Sequence, residues 1–197
     1  MEASVEKVIR TVDDDRQALI DLCLQLGNLV DFAGHERPVA EAVVAWLQAA
    51  GFSTILQVIS LESANAVGVL AGSGDRSAGG KNLILNAHMD TEGNVPAGGP
   101  EVVGRLRGAW HEGDLLFGKS IANDKAQLAA QMIAARAIKK AGVKLKGDLI
   151  VTGVAQETGT RVDLQQSARP DPMVGPHVGE GFGSRWLIDH GIVADYA

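Results

Sequence analysis

The stretch 82-NLILNAHMD-90 decides how the fold is read. Leu83, Ile84 and Leu85 are apolar on consecutive positions, the pattern of a strand buried on both faces rather than one alternating between core and water. His88 and Asp90 stand where that run ends. Layered α/β proteins place their sites at the carboxyl ends of strands, so these two are the first candidate functional residues. An imidazole there can hold a divalent cation through one ring nitrogen, while a carboxylate two residues on accepts from the other nitrogen and fixes the tautomer. Taken alone, the pair fits a satisfied structural histidine better than a ligand.

Outward from this strand the chain alternates. Upstream, Leu19, Ile20, Leu22, Leu24 and Leu26, then Val39, Val43, Val44, Trp46 and Leu47, read as two packing helices, the second ending at Gly51. From Phe52 the texture becomes short β-rich runs, STILQVIS and NAVGVLAG, separated from NLILNAHMD by the turn-rich GSGDRSAGGK. A Gly/Pro-rich loop covers Gly93 to Pro100. An alanine-rich helix is expected from about Asp124 to Ala141, with Leu128, Met132, Ala135 and Ile138 on one face and Gly142 as its stop. GDLIVTGVAQE is a further strand, Thr158 to Gly183 is loop-like, and GIVADYA reads as a strand start or strand edge arriving at the core. Strands alternating with helices predict an α/β layered domain, its central sheet mixed but mostly parallel, with helices on both faces. The closing segment leaves that sheet incomplete.

Composition bounds the partners. With 18 Lys+Arg against 24 Asp+Glu, a formal net charge of −6, nothing global draws the chain to nucleic acid or to an anionic membrane surface. The basic cluster Lys139, Lys140, Lys144 and Lys146 reads as a solvated face. No window approaches the roughly 20 apolar residues of a membrane span. The single cysteine, Cys23, precludes an intrachain disulfide and lies in an apolar run. The charged N-terminal stretch MEASVEKVIRTVDDD has no signal-like apolar core, so a cytoplasmic location is expected.

One motif invites a different reading. The segment 113-GDLLFGKS-120 fits the phosphate-loop pattern letter for letter. A phosphate loop needs a buried strand before it, small residues within it and a helix opening at its Lys. Here RLRGAWHE precedes it, Asp114 would repel phosphate, Leu115, Leu116 and Phe117 are bulky, and the helix begins nearer Asp124. The nucleotide reading fails on each count.

The stronger signal is a repeated placement. Glu157 ends GDLIVTGVAQE, Asp195 ends GIVAD, and Asp124 opens the long helix. One imidazole and three carboxylates delivered to one sheet edge suit zinc, cobalt or manganese, and a carboxylate can bridge two ions. Each carboxylate also has an ordinary reading: a helix N-cap for Asp124, and strand-end charges for Glu157 and Asp195.

In order, NLILNAHMDT, LLFGKSIANDKAQLAAQMIAA, LIVTGVAQETGT and GIVADYA resemble the co-catalytic zinc aminoacylase and carboxypeptidase family, which includes acetylornithine deacetylase, succinyl-diaminopimelate desuccinylase and glutamate carboxypeptidase. The false phosphate loop then looks like the family's Gly-x-Gly-x-x-Asp-x-Lys segment. The resemblance implies two zinc ions, with cobalt or manganese as alternatives, held by His88, Asp124, Glu157 and Asp195, with Asp90 orienting His88. It implies hydrolysis of the amide bond of N-acyl amino acids or short peptides. It also implies that these 197 residues are the N-terminal portion of a catalytic domain, without the lid or dimerisation domain and the C-terminal half. Self-association, or a second chain completing the sheet, is then expected.

The sequence departs from that family at three positions. Its general base is the first Glu of a Glu-Glu pair, whereas Gln156-Glu157 stands here, and a neutral amide takes no proton from water. Glu157 would have to act as base, or activity is low, or the chain binds metal or ligand without turnover. Strict spacing places the bridging aspartate on Asn123, while charge favours Asp124. Ser120 replaces a glycine.

Overall fold

The computed structural model describes residues 2–29, 33–74, 77, 79–91, 108–158 and 181–197. The loop expected from Gly93 to Pro100, and all but the ends of that from Thr158 to Gly183, lie outside them.

Three helices, not two, precede the first strand: α1 (Glu2–Asp14), α2 (Arg16–Gly27) and α3 (Arg37–Ala49). The additional α1 carries Val5, Val8, Ile9 and Val12 at helical spacing within a strongly charged stretch. Strands β1 (Ser53–Val58), β2 (Ala64–Leu70) and β3 (Leu83–His88) follow. Then come the hairpin β4 (Ala109–Glu112) and β5 (Leu115–Gly118), helix α4 (Ala126–Lys140), strand β6 (Leu149–Val154) and helix α5 (Phe182–Asp189). Neither the hairpin nor α5 is expected from the sequence. The phosphate-loop pattern falls on the turn and second strand of this hairpin, so it encloses no anion cradle.

The main sheet has the order β1-β2-β6-β3. It is mixed, as expected. Among the described strands β3 pairs with β6 in parallel, while β1 with β2 and β2 with β6 are antiparallel. Between β3 and β6 the chain crosses over through α4, the connection that parallel neighbours require. Tyr196 begins another parallel pairing on the far side of β3, opposite Leu83.

Helices cover both faces, and the side-chain alternation of the strands assigns each residue to one of them. Ala64, Ala66, Ala87, Leu149 and Val151 face the larger core, with Leu22 and Leu26 of α2, Val39, Val43 and Leu47 of α3, and Leu128, Met132 and Ile133 of α4. Val67, Ile150 and Val154 face the opposite way, against Leu187 of α5. The strand buried along its whole length is β6. The expectation of full burial for Leu83–Leu85 is corrected: β3 lies at the end of the strand order, and Leu83 remains 38% exposed.

Two polar devices fasten the helices. Lys139 donates to the carbonyls of Ala50 and Gly51, and Lys140 reaches the Asp15 carboxylate at 2.8 Å. These two lysines are therefore tertiary fasteners rather than a solvated face. Lys125, fully buried, donates to the Leu26 carbonyl at 2.8 Å, at the end of α2 where carbonyls run out of helical partners. No helix among the described residues is long and apolar enough to cross a membrane.

Asn65 joins α5 to the end of β6. Its Nδ2 donates to the Gly183 carbonyl at 2.9 Å and its Oδ1 accepts from the Ala155 amide at 2.9 Å, while the Gly183 amide donates to the Ala155 carbonyl at 3.0 Å. A Cβ at Gly183 would stand 2.2 Å from the Ala155 oxygen. Gly183→Ala is therefore expected to lower the free energy of unfolding by about 1–3 kcal/mol, measured by urea denaturation.

Candidate metal centre

Parallel pairing sends the ends of β3 and β6 to the same edge of the sheet, and the Met89 amide closes the ladder on the Val154 carbonyl at 2.8 Å. His88 stands at the end of one strand and Glu157 three residues beyond the other. Asp90, with no exposed surface, spans the gap. Its carboxylate accepts from the amides of Glu157 at 3.0 Å and Thr158 at 2.9 Å, and from the Thr158 hydroxyl. A buried carboxylate needs such donors to offset its lost hydration.

His88 is oriented by Asp90, through a different atom from the one expected. The backbone carbonyl of Asp90 lies 2.9 Å from Nδ1, whereas its nearer carboxylate oxygen is 3.8 Å away. The carboxylate is committed instead to the turn after β6. With the proton on Nδ1, the Nε2 lone pair points outward. Two oxygens converge on it: Asn123 Oδ1 at 2.9 Å and Glu157 Oε2 at 3.5 Å. The Glu157 side chain is half exposed, at 51%.

The short turn Ile121–Lys125 before α4 supplies the remaining groups. Asp124 is not the helix N-cap; its Oδ2 accepts from the His88 backbone amide at 3.3 Å. Asn123, the residue that strict spacing selects, has its oxygen closest to the imidazole. The structure thus reverses the preference for Asp124 at that position, because the turn directs consecutive side chains to different sides of His88.

Asp195 does not join this cluster. Its Oδ2 accepts from the Asn82 amide at 2.8 Å and its Oδ1 lies 3.4 Å from Lys81 Nζ. Tyr196 pairs at the start of β3, so Asp195 lies at the opposite sheet edge from His88. Five residue steps of about 3.3 Å along β3 separate the two edges, roughly 16 Å. GIVAD, read as a strand end, is the approach to a strand beginning.

Among the described residues, no three His, Cys, Asp or Glu side chains form a metal-holding group. The donors around Nε2 still suit a divalent ion. Two ligands each about 2.1 Å from an ion stand about 3.0 Å apart at a right angle and about 3.4 Å apart in a tetrahedron. The observed separations of 2.9 and 3.5 Å lie close to these values. With the proton on Nδ1, imidazole, amide carbonyl and carboxylate present lone pairs to a common point, a donor set that fits a divalent cation.

A second polar group behind the site has no counterpart in the sequence reading. Glu36, at the start of α3 and without exposed surface, accepts at Oε1 from the amides of Gly34, 2.6 Å, and Gln156, 3.2 Å. Its Oε2 accepts from the Ser63 hydroxyl at 2.6 Å. The Gln156 side chain turns inward and donates to Ser63 Oγ at 3.4 Å. A glutamate just before an apolar helix looks like an ordinary surface charge, so no sequence signal separates it.

Burial pushes the Glu36 carboxyl up from its ordinary 4.5 to about 7; the bonds from Ser63 and Gly34 oppose this and the charge of Asp90 adds to it. Between those two values the folded chain holds a proton that the unfolded chain has released. Stability is therefore expected to fall as pH rises from about 4.5 to about 7 and to level off above. Glu36→Gln removes this contribution: its amide can donate to Ser63 while its oxygen keeps both backbone amides. Urea denaturation across that range is expected to show a shallower decline in the variant.

No family model matches the chain. Similar solved structures include a di-peptidase from Saccharomyces cerevisiae, 12% identical, covering 84% of this chain and 37% of that one with a TM-score of 0.64. Aminopeptidase PepT from Bacillus cereus is 18% identical over 72% of this chain and 37% of its own, TM-score 0.53. The YxeP protein of Bacillus subtilis, a dinuclear metal-binding peptidase from the M20 family, is 14% identical over 91% of this chain and 40% of its own, TM-score 0.54. The chain spans well under half the length of each. What it shares with these peptidases is the fold.

Proposed function

We propose that this chain belongs to a divalent-metal-dependent amide hydrolase acting on N-acyl amino acids or short peptides. The observation that carries the reading is the outward-facing Nε2 of His88, with oxygens of Asn123 and Glu157 gathered on it at 2.9 and 3.5 Å. The resemblance of the four ordered sequence blocks and the fold shared with peptidases, one of them a dinuclear metal-binding peptidase, support it. His88, Asn123 and Glu157 would hold the ion, with Asp124 adjacent. Zinc is the first candidate, and cobalt and manganese suit the same donors. Asp195 has no part in it.

A bound divalent ion would polarise the substrate carbonyl and lower the pKa of a coordinated water. The chain's own residues do the rest. Asp90 keeps the His88 proton on Nδ1 through its carbonyl and holds the 157–158 turn through its carboxylate. Gln156 takes no proton, and its side chain faces Ser63 rather than the sheet edge. Glu157, half exposed beside Nε2, is the carboxylate placed to receive a proton from the attacking water and return it to the leaving amine.

That inward turn of Gln156 also favours a second reading, a non-catalytic metal- or ligand-binding protein on the same scaffold. Metal titration followed by hydrolysis assays on N-acyl amino acids and dipeptides separates the two. The hydrolase reading expects zinc or manganese binding that His88→Ala abolishes, and turnover that Glu157→Gln lowers by about a hundredfold to ten-thousandfold. Metal binding without turnover on any such substrate supports the second reading, and no metal binding overturns both as metal centres.

A further inference from the structure

Behind the site, Glu36 grips a backbone conformation that side chains rarely adopt. Gln156 has φ 54°, the only positive value at a non-glycine among the described residues. A left-handed residue costs of order 1–3 kcal/mol unless its surroundings hold it. Here they do so twice: Glu36 Oε1 accepts from the Gln156 amide, and Ser63 accepts from its side chain. The turn at Gln156 is what directs the next two amides, of Glu157 and Thr158, toward the Asp90 carboxylate. That in turn sets the Glu157 carboxylate beside His88 Nε2.

We propose that Glu36 is a positioning residue of the site, acting with Ser63 through the left-handed turn of Gln156 to place Glu157 against His88. The inference rests on the reading of this edge as a metal centre. Glu36 itself has no exposed surface, and its hydrogen bond toward the site is the one from the Gln156 amide. The arrangement accounts for a glutamine at 156: its amide donates to Ser63, whose own proton goes to Glu36. A carboxylate at 156 would face these acceptors without a donor.

Amide hydrogen exchange and zinc affinity, measured on the same set of variants, test this. Glu36→Ala is expected to speed exchange at Glu157 and Thr158 well beyond any change at Val151 and Thr152 in β6, and to weaken zinc binding by about 10–100-fold. Glu36→Gln, able to make the same contacts, is expected to restore both. If Glu36→Ala does not fold, Ser63→Ala is the deciding variant, with the same localised loss expected. Exchange raised equally along β6 and the turn would show a merely structural role, and unchanged exchange and affinity would remove any role; either overturns the proposal. Absence of zinc binding in the unaltered chain would defeat the reading as a metal centre, and the exchange pattern would then decide the positioning role alone.

Discussion

The buried carboxylate of Asp90 is the constraint on which the site depends. It leaves the end of β3 and accepts three hydrogen bonds from the turn after β6, joining residues 67 and 68 positions apart in the chain. A carboxylate without exposed surface cannot forgo those donors, because nothing else would replace its hydration. The demand is mutual: the amides of Glu157 and Thr158 lie beyond the last ladder bond of β6 and need an acceptor. The polar cost of burying Asp90 is thereby turned into a fixed separation between two strand ends.

Around that anchor, each neighbouring element contributes through its termini rather than its length. The start of α3 offers Glu36, the β1–β2 connection offers Ser63, and the turn before α4 offers Asn123 and Asp124. Lys125, one residue on, is drawn into the interior to satisfy the end of α2. Adjacent residues of one turn thus serve opposite purposes, with Asn123 turned toward the imidazole and Lys125 toward a helix carbonyl. The helices supply bulk and the larger core, and their ends supply the polar groups that define the edge.

Much of this was legible in the residues. The short β-rich run of β2 is apolar on both faces, Ala64 and Ala66 toward one core and Val67 toward the other, and helical spacing is plain in α4 from Leu128 to Ile133. Asp195 was misplaced because a strand's beginning and its end look alike in a run as short as GIVAD. Only the pairing of Tyr196 with Leu83 gives it a direction. The hairpin β4–β5 was hidden by a pattern that mimicked a phosphate loop, and its strands are too short and too exposed to show alternation.

By itself, then, the sequence determined the four strands of the main sheet and helices α2 to α4, that His88 falls at a strand end, and that Glu157 follows another. Those properties depend on local periodicity and on which side chains prefer to leave water. The tertiary structure alone decided which polar groups meet. Asn123 rather than Asp124 faces the imidazole, the carbonyl of Asp90 rather than its carboxylate orients it, and Glu36 bonds to Gln156 across 120 positions of chain. Hydrogen bonds act over about 3 Å and depend on direction, so a polar residue's partner is set by the packing that brings distant segments together.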